Sequence, residues 1–198
     1  MTSTRVQNKV DEILSELIKI SNFTNTSCKV SDLNPVHVSK LTNAIQLDEK
    51  ITFVIPAFPA KSANREKTLS CFPDMGEVQA LRNLDNLACK ITEIHSKGAE
   101  ILICSDGRVF SDLVGITEED VSVYRSELKR IVDIYSLSNI SFFDLEDEYC
   151  SKLNFDQMRY RLEQQFSKSV SCIRRDVKCN IKTKSLFNGI HRFLKEDF

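Results

Sequence analysis

The sequence predicts an α/β fold, a Rossmann-like parallel sheet flanked by helices, with additional helices at the N- and C-terminal ends. Three observations predict it. Short runs rich in β-branched and aromatic residues stand at 51–55, 101–104 and 140–143. Two longer stretches with apolar residues at helical spacing lie between them. Strand, helix, strand, helix, strand at these lengths is the rhythm of βαβ units, and right-handed crossovers then bring the C-terminal ends of all three strands to one edge.

Each element has its own signal. Val6, Val10, Ile13, Leu14, Leu17 and Ile20 follow helical spacing and predict an amphipathic helix over 4–21. A polar stretch over 22–31 separates it from a shorter helical pattern over 35–47, where Pro35 suits a first turn because its missing N–H has no helical partner there. His37 reads as a surface residue of that helix. The first strand follows at 51–55. Asp74 after Pro73, with Glu77 three residues on, has the form of a capping box. The helix it opens runs to about residue 97, with Val78, Leu81, Leu84, Ala88, Ile91 and Ile94 on one face and Gly98 placed to end it. The second strand ends at Ser105-Asp106-Gly107-Arg108. Thr117 and Asp120 form a second capping pair before a helix bearing Val121, Tyr124, Leu128, Ile131 and Tyr135. The third strand ends at Asp144. From Phe155 onward, Met158, Leu162, Phe166, Val170, Ile173 and Val177 keep helical spacing, as one long helix or two. The chain thus divides into an N-terminal helical segment (1–48), an α/β core (49–150) and a C-terminal helical segment (151–198).

Composition narrows the classes of function. A net charge of -1 offers no general attraction to nucleic acid or to an anionic membrane. No apolar run approaches the ~20 residues of a membrane span, and residues 1–5 lack the apolar core of a signal peptide. The seven cysteines are odd in number, widely spaced and without a C-x-x-C pair. That fits reduced thiols in a cytoplasmic protein, with Cys89 and Cys104 as small core residues and Cys28 and Cys150 among the rest. The N-x-S/T matches at Asn22, Asn25 and Asn139 carry no meaning without secretion. With five glycines there is neither G-x-G-x-x-G nor a P-loop, and no H-x-x-x-H pair, so the residues point to no cofactor and no metal. Over 168–184, Lys168, Arg174, Arg175, Lys178, Lys182 and Lys184 face only Asp176, which suits phosphate contact or simply a solvated face.

The candidate site begins where the first strand breaks at Pro56. The following loop carries Lys61, Arg65 and Lys67 and re-enters order at Asp74. Cations before a helix N-terminus reinforce its preference for anions, while a loop of cations is also simply soluble. Asp106-Gly107 has two readings: a hairpin turn with Gly107 at positive φ, or a carboxylate at a strand end acting as acid, base or clamp. Asp74 and Glu77 cap a helix or bind substrate. Asp144 joins the constellation through its strand-end position, and His191 has no assigned role.

The run Pro56-Ala57-Phe58-Pro59-Ala60-Lys61-Ser62, then Asn64, Lys67, Pro73-Asp74 and Glu77, resembles the signature of the isocyanide (isonitrile) synthase family of the pyoverdine/dityrosine type. Gly98-Ala99-Glu100, Ser105-Asp106-Gly107-Arg108-Val109-Phe110 and Asp112 continue the resemblance, and residues 189–197, GIHRFLKED, give a third piece. The resemblance implies an enzyme of secondary metabolism that converts the α-amine of an amino acid, often aromatic, into an isonitrile. The carbon comes from ribulose 5-phosphate, without metal or organic cofactor; fungal relatives make an N-formyl amino acid instead. It further implies Lys61, Asp106, Arg108 and Asp112 as catalytic residues, with Lys61, Lys67 and Arg108 holding anions or polarising the carbonyl and the two carboxylates moving protons or orienting those cations. Ser62, Asn64, Lys67, Asp74 and Glu77 are implied in substrate binding. Family members are longer, so the resemblance also implies a chain shortened at its C-terminal end, either active or retained as a sugar-phosphate-binding or interaction protein.

Overall fold

The computed structural model describes residues 3–20, 35–149 and 153–197. Cys28 and Cys150, and the glycosylation-like Asn22 and Asn25, lie outside the described residues. The chain forms two compact units, one of Met1–Ile55, Asp74–Ile103 and Arg130–Phe142, the other of Pro56–Pro73, Cys104–Lys129 and Phe143–Phe198.

The first unit holds the helices α1 (Ser3–Ile20), α2 (Pro35–Gln46) and α3 (Met75–Ile94), with α1 packed on both of the others. It also holds nearly all of the strands β1 (Ile51–Pro56), β2 (Ala99–Cys104) and β3 (Ile140–Phe143), each of which gives up only its last residue to the second unit. The sheet order is β1-β2-β3. It is parallel: Ile51 N–H bonds to Gly98 and Ala57 N–H to Cys104, while Ile101 N–H bonds to Asn139 and Ser105 N–H to Phe143, so partner numbers rise together. The central strand β2 buries Ala99, Ile101 and Ile103 in alternation, as the period of two requires.

Asp74 forms the expected capping box, its carboxylate accepting from Gly76 N–H at 2.7 Å while Glu77 reaches back to Asp74 N–H at 2.8 Å. The helix ends at Ile94 rather than near residue 97, because His95 turns to extended backbone and buries its ring with Nε2 2.7 Å from the Glu49 carbonyl. Gly98, at φ 76°, then closes the connection by donating to the His95 carbonyl. Cys89 is exposed rather than in the core: it falls one position beyond the buried Ala88, beside Asp85 and Asn139.

The second unit contains α4 (Gly107–Phe110), a 3-10 turn (Ser111–Val114), α5 (Glu118–Ile134, in this unit as far as Lys129) and α6 (Leu145–Glu148). In its C-terminal part the apolar series from Met158 to Val177 forms two helices, the second of the two readings, α7 (Phe155–Phe166) and α8 (Val170–Cys179), and α9 (Ile181–Asp197) follows them. The apolar spacing continues through the breaks. Side chains decide them, Ser169 capping α8 through Cys172 N–H and Asn180 capping α9 through Lys182 and Thr183 N–H. A small apolar cluster of Leu145, Tyr149 and Met158 ties α6 to α7.

Candidate functional site

The site is built where the chain leaves the sheet. Ala57 N–H makes the last bond to β2, at the Cys104 carbonyl, and Pro56 just before it occupies an edge-strand position whose missing N–H that ladder does not use. Phe58 then adopts φ 54°, a left-handed conformation costly for a residue with a side chain, and its carbonyl accepts from the Ser105 hydroxyl at 3.1 Å. One residue on, a Cβ at Gly107 would stand 2.0 Å from the Pro59 carbonyl oxygen. Gly107 is needed for this approach and not for a positive φ; the hairpin reading of Asp106-Gly107 is overturned, since the chain enters α4 instead. Ser105 and Gly107, on either side of Asp106, are thus held against Phe58 and Pro59. Lys61 follows Pro59 by two residues, at most about 7 Å of chain.

Within the loop, Ser62 and Asn64 act as braces. The Ser62 hydroxyl accepts from Asn64 N–H at 3.1 Å and its carbonyl accepts from Thr68 Oγ1 at 2.8 Å. Asn64 Oδ1 accepts from Glu66 N–H at 2.9 Å, an Asx turn, and its carbonyl takes the N–H groups of Lys67 and Thr68. Lys61 is half-buried and Lys67 exposed. Asp106 is half-buried at the start of α4 but its carboxylate caps nothing, and burial raises its pKa above the ordinary aspartate value.

Arg108 is the most heavily paired of the expected site residues. It is only 2% exposed, and its guanidinium is already shared. Nε donates to Asp144 Oδ2 at 3.1 Å, Nη2 donates to Ser122 Oγ at 3.2 Å and lies 3.4 Å from Glu146, and Nη1 is 3.6 Å from Glu118. The plane also stacks over Phe155 at 4.2 Å. Arg125 joins the same carboxylates: Nη1 is 2.9 Å from Glu146, and Nε is 2.9 Å from Asp144 but off the line of its N–H, a charge contact rather than a hydrogen bond. Arg159 pairs with Glu118 and donates to the Arg108 carbonyl at 2.9 Å. Asp144 also caps α6 through Glu146 N–H. The expected strand-end carboxylate is therefore present, as the centre of a buried ionic clamp.

Sequence reasoning missed Glu118, Ser122 and Arg125, although their i, i+4, i+7 spacing puts them on one face of α5. Asp112 is exposed and borders a broad groove of about 700 Å³ with Arg159, Tyr160 and Phe166. Asp74 and Glu77 belong to the first unit, where they cap α3. Among the described residues, no group of three or more His, Cys, Asp or Glu side chains is arranged to hold a metal ion, and no helix is long and apolar enough to cross a membrane.

Against Gly107, the residue after Asp106, lies a partly open cavity of about 230 Å³. Its walls include Pro59, Ala60 and Ser62 from the loop after β1, Gly107, Phe110 and Ser111 after β2, and Phe193 of α9. Three stretches far apart in sequence meet there.

Residues 41–198 match the family described as pyoverdine/dityrosine biosynthesis protein. The chain is 44% identical over 162 residues to the L-tryptophan isonitrile synthase AmbI2 of Fischerella ambigua, covering 82% of this chain and 49% of that protein. It is 34% identical over 172 residues to the L-tyrosine isonitrile synthase of Pseudomonas aeruginosa, covering 85% and 52%. The crystal structure of the PvcA protein from Pseudomonas aeruginosa is similar with a TM-score of 0.87 and 32% identity, over 96% of this chain and 63% of that one. The chain spans about half the length of the curated relatives it matches.

Proposed function

The chain belongs to the pyoverdine/dityrosine biosynthesis protein family, and from that premise we propose that it acts as an isonitrile synthase, converting the α-amine of an aromatic amino acid into an isonitrile with ribulose 5-phosphate as carbon donor. One observation carries the reading. The three motif stretches, around Pro59–Ser62, Gly107–Phe110 and Phe193, line a single cavity, and Asp106 immediately precedes its wall residue Gly107. Nothing in local structure demands that convergence.

The reaction opens with a neutral amine attacking the ketose carbonyl, so it needs a proton acceptor for the substrate ammonium and cations for carboxylate and phosphate. Asp106 takes the first role: burial raises its pKa, making it a better proton acceptor than an exposed aspartate. Lys61 and Lys67, carried on the braced loop, hold the anions. Arg108 is assigned a positioning role, since its charge is committed to Asp144, Glu146 and Glu118 and its neighbour Gly107 presses on Pro59. Asp112, on the groove beside Arg159, orients that cation rather than meeting substrate.

The test is incubation of the chain with ribulose 5-phosphate labelled at C2 and each aromatic amino acid, followed by mass spectrometry. A labelled isonitrile is the expected product; a labelled formamide would place the chain with formamide-forming enzymes, and unlabelled product would remove the sugar as donor. Lys61→Ala should keep the wild-type melting curve and lose at least about 100-fold in kcat/KM, or about 2.7 kcal/mol of transition-state binding.

A further inference from the structure

We propose that the cavity walled by Ala60, Phe110, Val114, Ile116 and Phe193 holds the aromatic side chain of the amino acid, with the substrate's amine directed to Asp106. The identity of the ligand rests on the isonitrile-synthase reading; the shape and chemistry of the cavity do not.

Size is the first argument. At about 230 Å³ the cavity exceeds the roughly 150 Å³ that accommodates benzene in an apolar protein interior. It falls below the roughly 300–1,000 Å³ typical of sites for larger ligands. One ring system fits, and a phosphorylated pentose together with an amino acid does not.

Chemistry is the second. None of the lining side chains is charged, and the polar ones are only Ser62 and Ser111. A phosphate brought here would lose water and find no cation, a cost that excludes it. An aromatic ring would exchange water for the rings of Phe110 and Phe193 and the branched side chains of Val114 and Ile116.

Orientation is the third. Of the lining residues Val114 and Ser111 are buried, while Phe193 is exposed to solvent. Ser111 Oγ reaches Glu118 only at 3.5 Å, long for an O–H···O bond, so its hydroxyl can still accept from an indole N–H or a phenol O–H. Asp106 immediately precedes the wall residue Gly107, and on that adjacency the amine is assigned to it.

The chain contains no tryptophan, so the fluorescence of added L-tryptophan, excited beyond tyrosine absorption, reports the ligand alone. The wild-type chain should bind it saturably, with competition by L-tyrosine and indole and none by ribulose 5-phosphate. Ala60→Phe, filling the cavity, should weaken binding at least about tenfold, and Phe193→Ala, removing the exposed wall, by about three- to tenfold. Both variants should melt as wild type does; if Ala60→Phe does not fold, the exposed Phe193→Ala decides alone. Equal affinity in wild type and variants, or no saturable binding by wild type, would overturn the assignment. Labelled isonitrile formed with binding unaffected by either variant would sink the ring site and spare the activity. Ring binding lost in the variants, with no isonitrile or formamide from any mixture, would do the reverse.

Discussion

The first unit buries Val10, Ile13, Ile45, Leu81, Ile91, Ile101 and Ile103 almost completely, and its buried polar groups are few, Asp85 and His95 among them. In the second unit Arg108, Asp144 and Ser111 are buried as deeply as its apolar side chains, Val121, Tyr124 and Leu128 of α5 and the small cluster of Leu145, Tyr149 and Met158. The difference teaches where each unit gets its shape. Apolar packing is tolerant of rearrangement at constant volume, whereas a buried ion pair tolerates almost no displacement of its partners. A unit that must hold Gly107 against Pro59 and Asp106 beside a cavity gains more from the second arrangement than from the first.

Four substitutions test that contrast, from the largest effect to the smallest. Asp144→Ala leaves Arg108 and Arg125 buried around the same vacancy, and should cost about 3–5 kcal/mol in urea unfolding. A loss under about 1 kcal/mol would mean that the clamp is not what shapes the second unit. Gly107→Ala must move the Pro59 carbonyl, and should cost about 1–3 kcal/mol and weaken ring binding together. Normal binding in that variant would separate the cavity from the loop contact.

Asp106→Asn should act in the opposite direction. Burial holds the folded pKa of Asp106 above its unfolded value, so the fold favours the protonated form. That contribution is fully present below the unfolded value, about 3.9, and is lost as pH rises through the folded one. The variant should therefore melt higher than wild type at neutral pH, with the gap closing in acid; a gap that widens in acid contradicts this. The smallest effect belongs to the first unit. Lys50 is 2.7 Å from Glu100 and lowers its pKa, yet both are exposed enough for water and salt to screen them. Lys50→Ala should cost about 0–1 kcal/mol, and less in high salt.

Much of the fold is readable in residues close together in the chain. The helical spacing of Val6 to Ile20, the three strand runs and the Asp74–Glu77 box depend on neighbours within a few positions, and all form. Reading failed where one local pattern serves two structures. Asp-Gly after a strand suits a hairpin or a helix start, and only the Pro59 carbonyl, 48 positions before Gly107, distinguishes them. Cys89 looked apolar because its neighbours are, yet a single step around α3 carries it to solvent.

The sequence by itself determined the order of the three strands and of the long helices α1, α3 and α5, the parallel sheet, and the motif stretches that mark the family. Tertiary structure alone decided what those stretches do to one another. An arginine in a motif reads as a ligand for anions until a carboxylate 36 positions away pairs with it, and three separate stretches of aromatic and small residues become a cavity only when folded together. Local propensity acts over a turn or two of chain. Burial and charge pairing act through space, and space is what the linear order of residues leaves open.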